Sequence, residues 1–169
     1  LVVPGKPVRA LASGAQSVNH LDEVYNGEVP DIIDNAYVIV EYDSGARAML
    51  DLCMFAEGSK YEQMIAVTGD AGKLETTVPG DALFMSKRER NSGKAVPIVM
   101  DPRVKHEGFH HGSSFLEHRE FIDAIREGSA PSVTTRDGLM SVLVGVAAQQ
   151  SIETGQAVNI DSLLQQHSA

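Results

Sequence analysis

Residues 106–118, "HEGFHHGSSFLEH", gather four of the chain's six histidines beside two glutamates. Imidazoles and carboxylates at this density can serve metal ligation, acid–base catalysis or hydrogen bonding to a polar ligand. Zinc sites present their ligands on a compact, regular spacing, whereas here the spacing is irregular and His110 and His111 are adjacent, which tends to send their side chains apart. No metal is assigned to this stretch. His110 and His111 instead stand just before a predicted helix start, where free N–H groups and the helix dipole favour an anionic or hydroxyl-bearing ligand. An ordinary solvated loop is the competing reading.

A second group of candidates is Lys60 and Tyr61, with Glu57 beside them, after "FAEGS". They offer proton donors, although lysine and glutamate in loops are ordinarily solvated surface. Nucleophilic catalysis is not supported. No G-x-S-x-G surrounds a serine, and the lone Cys53 falls inside a strand pattern whose neighbours Leu52, Met54 and Phe55 predict a buried thiol. No G-x-G-x-x-G occurs, so the chain lacks the fingerprint of a dinucleotide fold.

The elements that must position these residues follow from periodicity. "PVRALASGAQSV" (7–18) reads as a first strand, and the polar 19–34 as a long loop, a class that is often functional. "AYVIVEYD" and "ARAMLDLCMF" form a hairpin across Ser44-Gly45, where glycine can take the positive φ such turns require. Two further hairpins are predicted, "YEQMIAVTG" with "KLETTVP" and "ALFMSKRE" with "AVPIVM". Ser114-Phe115-Leu116-Glu117 matches a capping box opening a helix over roughly 114–127, with Phe115, His118, Phe121, Ile122 and Ile125 on its apolar face and Gly128 as its stop. On that face His118 is expected to be a core histidine bonded to a backbone carbonyl. Thr134-Thr135-Arg136-Asp137 opens a second helix with Leu139, Val142, Leu143, Val146 and Ala147 inward, ended by Gly155, and "AVNI" (157–160) adds a short strand.

Strands followed by helices predict an α+β fold: an open-faced, mostly antiparallel sheet with helices packed on one face. Apolar residues on both sides of the hairpin strands leave the second face in need of a partner, so a homo-oligomer through that face is expected. The 169 residues suit a single domain over 1–169. A net charge of −9 with no basic run argues against nucleic acid, and no apolar run approaches the ~20 residues that span a bilayer. One cysteine, with no disulfide, suits a reducing, cytoplasmic setting. The opening "LVVPGKPVRA" enters directly into a strand pattern, as in a piece of a longer chain.

Taken together, "DNAYVIVEYDSGARAMLDLCMF", "MIAVTGDAGKLE" and "HHGSSFLEHREFIDAIREGSAPSVTTRDGLMSVLVGVAAQQSIETGQAV" resemble the C-terminal half of the Gfo/Idh/MocA oxidoreductases, the family of glucose–fructose oxidoreductase and inositol dehydrogenase. The resemblance implies an N-terminal Rossmann domain, absent from this chain, that binds NAD or NADP and carries the catalytic residues. No catalytic, cofactor-binding or metal residue is carried over here. Gly5-Lys6-Pro7 lacks the glutamate of the family's Glu-Lys-Pro motif and precedes a strand of this half. By position, the family's substrate contacts correspond to Glu57–Tyr61 and His110–Ser114, which gives Lys60, Tyr61, His110, His111 and Ser113 as substrate-binding candidates. The resemblance thus implies a substrate-binding and oligomerisation domain of an NAD(P)-dependent enzyme acting on a sugar or polyol, inactive by itself. A free-standing, non-catalytic sugar-binding or assembly module is the alternative.

Overall fold

Alternation of small and larger side chains along Ala10-Leu11-Ala12-Ser13 and Ala36-Tyr37-Val38-Ile39-Val40 sends one residue set inward and the other outward, as the pleat demands. In a computed structural model, which describes residues 3–166, the order of elements is β1 (Pro7–Ala15), β2 (Asn35–Tyr42), β3 (Arg47–Cys53), β4 (Gln63–Thr68), β5 (Gly72–Val78), β6 (Ala82–Lys87), β7 (Lys94–Pro97), α1 (Ser113–Glu127), α2 (Thr135–Thr154), β8 (Val158–Asn159) and α3 (Ile160–Gln166). This is the α+β class expected, and every strand pairing among the named strands is antiparallel. The strands form two four-stranded sheets, ordered β3-β2-β1-β8 and β4-β5-β6-β7. The sequence reading had them in one sheet; the stretch between β3 and β4 makes no ladder, and β5 pairs with β6, which turns the two hairpins into a separate meander.

Two compact units result, one from the described parts of Leu1–Ala56 and Val133–Ala169, the other from Glu57–Ser132. In the first, Ala10, Ala12, Ala36, Val38 and Val40 are buried together with Leu143, Ala147 and Ala148 of α2 and Ile160 and Leu163 of α3. Alanines at the helix–sheet contact let the backbones approach closely. Because β8 pairs only with Arg9 and Ala10, that edge of β1 runs out of ladder, and the buried Ser151 Oγ of α2 accepts the Ala12 N–H at 2.9 Å. This satisfies a backbone donor that would otherwise be buried unpaired. α2 is capped as its sequence predicts: Thr134 accepts the Asp137 N–H, Asp137 accepts the Thr134 N–H, and Gly155 ends the helix in the left-handed conformation.

Several expectations are corrected. Cys53 is exposed, because its register opposite Asn35 puts it on the outward face while Leu52 points in. The α2 face is rotated toward Leu143, Ala147, Ala148 and Ser151, leaving Leu139 and Val142 exposed. α1 begins at Ser113 with Gly112 as N-cap and no side-chain cap, so the Ser114 capping box does not form. His118 is exposed; its Nδ1 donates to the Ser114 carbonyl at 2.7 Å, which realises the carbonyl bond without the burial. Phe121, Ile122 and Ile125 are likewise exposed, and Ala124 is the buried residue of that helix. The unforeseen α3 starts where the Asn159 side chain accepts the Ser162 N–H at 3.0 Å. Among the described residues, no helix is long and apolar enough to cross a membrane.

Candidate functional site

His110, His111 and Ser113 lie in the Glu57–Ser132 unit at a sharp knee between a short 3-10 helix, Gly108–His110, and α1. Two consecutive residues are left-handed there, His111 with φ 51° and Gly112 with φ 85°, and together they reverse the chain. Gly112 is required twice over. Its φ favours glycine, and a Cβ at this position would come 2.7 Å from Cγ1 of Val104. The turn is closed by the Gly112 N–H donating to the Glu107 carbonyl at 2.7 Å and by Ser113 Oγ donating to the His110 carbonyl at 2.8 Å. With Ser113 Oγ turned back in this way, no side chain caps α1, and the N–H groups of its first turn remain available as donors.

The segment feeding the knee is braced by Asp101, whose carboxylate accepts both Nε and Nη2 of Arg103, the latter at 2.7 Å. The Arg103 side chain, and after it the Arg103 backbone N–H, pull the Asp101 carboxyl down to about 2. Between Asp101 and the knee stands Val104, the residue against which Gly112 packs.

Lys60 and Tyr61 form the second group, with the Lys60 Nζ 4.9 Å from the centroid of the Tyr61 ring. The Tyr61 side chain holds the Lys60 ammonium above its ordinary pKa. Lys60 therefore remains a charged donor at neutral pH and is no candidate for a general base. All five candidates are exposed. No hydrogen bond or ion pair among the described residues joins the Lys60–Tyr61 pair to the His110–Ser113 knee. Both groups can donate hydrogen bonds to hydroxyl or carboxylate oxygens. Among the described residues, no three His, Cys, Asp or Glu side chains come together as a metal site. Among the described residues every named strand pairing is antiparallel, so no parallel strand–turn–helix unit is found among them.

The residue that organises the long loop escaped the sequence reading. Asp34 is fully buried, and its carboxylate accepts the N–H groups of Ser17, Val18 and Asn19 and the side-chain amide of Asn35. Burial pushes the Asp34 carboxyl up, but the donors from Asn19, Val18, Asn35 and Ser17 outweigh it and hold the group well below the usual carboxylate range. Further along the loop, His20 Nδ1 lies 2.9 Å from a Glu23 oxygen and the Tyr25 hydroxyl donates to Glu23 at 2.9 Å. Asn26 and Gly27 take positive φ in a two-residue turn, with Tyr25 and Glu28 exchanging backbone hydrogen bonds. The Asn-Gly dipeptide was the available signal for that turn.

A model of the C-terminal alpha/beta domain of the Gfo/Idh/MocA oxidoreductase family matches residues 5–160. Myo-inositol 2-dehydrogenase of Thermotoga maritima is 27% identical over 139 residues, which are 78% of this chain and 38% of that protein. The scyllo-inositol 2-dehydrogenase (NAD(+)) of Bacillus subtilis is 27% identical over 76% of this chain and 36% of its own length. Among solved structures, a levoglucosan dehydrogenase in complex with NADH shares the fold with a TM-score of 0.74 at 16% identity, covering 92% of this chain and 45% of the other. An oxidoreductase from Agrobacterium radiobacter in complex with NAD+, L-tartaric acid and magnesium gives a TM-score of 0.66 at 17% identity, over 94% of this chain and 44% of that one. The chain thus spans less than half the length of these relatives. With the family model covering nearly all of the antiparallel scaffold just described, the chain belongs to the Gfo/Idh/MocA oxidoreductases, as a C-terminal alpha/beta domain of that family.

Proposed function

We propose that this chain serves as the substrate-walling and self-associating domain of an NAD(P)-dependent oxidoreductase that acts on a sugar, a polyol or a related hydroxy compound. The observation that carries the reading is the knee at His110-His111-Gly112-Ser113, where adjacent imidazoles stand beside an uncapped helix start. Such a surface matches a ligand rich in hydroxyls, because imidazole both donates and accepts while the N–H groups and Lys60 only donate. The inositol and levoglucosan dehydrogenases to which the chain is similar support the same substrate class.

In this reading NAD or NADP is held by another part of the enzyme and supplies the hydride acceptor or donor. The task of this chain is orientation: His110, His111, Ser113, Lys60 and Tyr61 fix neighbouring hydroxyls so that one C–H presents correctly, which is where rate is gained in hydride transfer. Self-association is supported by the outward face of the first sheet, where Met49 is 72% exposed and Tyr37 62% exposed. The exposed, unpaired thiol of Cys53 suits a reducing, cytoplasmic compartment.

The test is His111→Ala in the enzyme that joins this domain to a nucleotide-binding half, assayed against inositols and anhydrosugars. Turnover should fall on the true substrate; unchanged kinetics across that panel would overturn the assignment. The 169-residue chain alone should reduce no NAD+ with any of these compounds.

A further inference from the structure

The asparagines of the chain are Asn19, Asn26, Asn35, Asn91 and Asn159, and their surroundings set one of them apart. The Asn19 amide donates to the Met54 carbonyl at 3.1 Å, and a histidine follows it in the chain. The Asn35 amide donates to the Ala15 carbonyl, Ser17 Oγ and Asp34 Oδ1, and the next residue, Ala36, is buried in the ladder opposite Leu52. Asn91 precedes Ser92, whose N–H donates to the Glu89 carbonyl at 3.4 Å. Asn159 Oδ1 accepts the Ser162 N–H at 3.0 Å, and Ile160, which follows it, is 0% exposed. Among the described residues Asn26 alone combines an exposed side chain that makes no hydrogen bond with a glycine as its successor.

The Asn26–Gly27 peptide lies at the tip of the long loop. Tyr25 and Glu28 close the turn by exchanging backbone hydrogen bonds at 2.8 and 3.0 Å. The Gly27 N–H meets no acceptor among the described residues, and a Cβ placed on Gly27 would find nothing within 4 Å. Glycine thus leaves its nitrogen without the side chain that shields this atom in other residues. Two hydrogen bonds at an exposed loop tip are also the kind of structure that opens locally at low cost.

We propose that Asn26 is a site of spontaneous covalent modification in which the Gly27 nitrogen is the nucleophile. The Gly27 N–H gives its proton to solvent and the nitrogen bonds to Cγ of Asn26. The Cγ–Nδ2 bond then breaks, and the leaving nitrogen takes up a proton and departs as ammonia. Solvent water opens the resulting cyclic imide on either side. Attack at Cγ restores the normal backbone as aspartate, whereas attack at the main-chain carbonyl carbon of Asn26 reroutes the chain through the side chain as isoaspartate. Isoaspartate puts an extra carbon into the backbone between Tyr25 and Glu28, so their paired hydrogen bonds lose register. Either product adds a carboxylate to a loop that already holds Asp22, Glu23, Glu28 and Asp31 and has no lysine or arginine. The root of the loop is untouched, because Asp34 holds Ser17, Val18 and Asn19 without help from the tip.

The test is to age the 169-residue chain, folded and in urea, in mildly acidic and mildly alkaline buffer, and to map its peptides by mass spectrometry. In the folded chain Asn26 should lose its amide several-fold faster than any of the other asparagines. The reaction should run faster in the alkaline buffer, because the attacking nitrogen must shed its proton, and should yield both aspartate and isoaspartate. Ion exchange should resolve a species more acidic by one charge, which Asn26→Ser should not form. An Asn26 that reacts no faster than Asn91 overturns the proposal. So does one that survives in the folded chain and reacts only in urea, since the Tyr25–Glu28 pairing would then lock the turn. Aspartate without isoaspartate would mean direct hydrolysis by water and would remove Gly27 as the nucleophile.

Discussion

Oδ2 of Asp34 accepts the N–H of Val18 at 2.7 Å, joining the end of the long loop to its beginning through a carboxylate that is fully buried. Ser17 and Asn19 donate to the same group through their backbone N–H, and the Asn19 side-chain amide donates onward to the Met54 carbonyl at 3.1 Å, so the Asp34 and Asn19 side chains together hold the exits of β1 and β3. Asp34→Asn replaces an acceptor-only group with one whose NH2 must face donors. The variant should melt at a clearly lower temperature than the wild type, while Asp22→Asn, on the exposed part of the loop, should melt with the wild type. Thermal scans by circular dichroism of the two variants decide it; equal melting would mean that the loop root is held by something other than this carboxylate.

The same group makes stability depend on pH. Both Asp34 and Asp101 have folded-state values below the unfolded value of about 3.9. Each contribution is therefore complete above that value and is lost as the pH falls through the folded one, which for Asp101 is about 2. Arg103 is 54% exposed, so solvent screening makes the Asp101 share the smaller. Urea titrations at several pH values between about 5 and 2 should show the wild type losing stability steeply and Asp34→Asn losing it with a shallower slope. Parallel slopes would show that other carboxyls govern the acid limb.

Burial separates two apolar residues that their sequence contexts do not. Ile160 is 0% exposed in the core with Ala10, Leu143 and Ala147, whereas Val142 is 63% exposed on α2. Ile160→Ala should cost about 2–5 kcal/mol, and Val142→Ala should stay within about 0.5 kcal/mol. Equilibrium denaturation measures both. A costly Val142→Ala would mean that this side of α2 is covered in solution.

These contrasts show where the sequence is readable. The β2–β3 hairpin and α2 are legible because local chemistry alone decides them: Gly45 takes the positive φ of the turn, and Thr134 with Asp137 closes the capping box. Which face of a helix is buried is a tertiary matter, which is why Leu143 was found but Leu139 and Val142 were misjudged. The α1 start was misread because Ser113 and Ser114 both look like caps; the backbone reversal at His111 and Gly112 consumes the first and leaves the second inside the helix. Asp34 was invisible as an anchor because its donors are backbone groups fifteen to seventeen residues away, which no spacing rule records. Of the candidate site, His110, His111 and Ser113 could be grouped from sequence because they are neighbours in the chain. Lys60 and Tyr61 were grouped with them by the resemblance alone, and no hydrogen bond or ion pair among the described residues links the two groups.

The knee itself gives the last prediction, because its geometry depends on one residue without a side chain. Gly112→Ala would have to hold φ at 85° and seat a methyl 2.7 Å from Cγ1 of Val104. A non-glycine residue in the left-handed region costs of order 1–3 kcal/mol, and the clash adds to it unless Val104 gives way. Gly112→Ala should therefore lower stability by at least about 1 kcal/mol in urea denaturation. Adding Val104→Ala to Gly112→Ala should recover the steric part relative to Val104→Ala alone and leave the backbone part, so the two mutations should be non-additive in the relieving direction. Strict additivity would show that Val104 and Gly112 are not in contact in solution. A Gly112→Ala variant as stable as the wild type would show that the chain turns into α1 by another route, and with it the juxtaposition of His110, His111 and Ser113 would have to be redrawn.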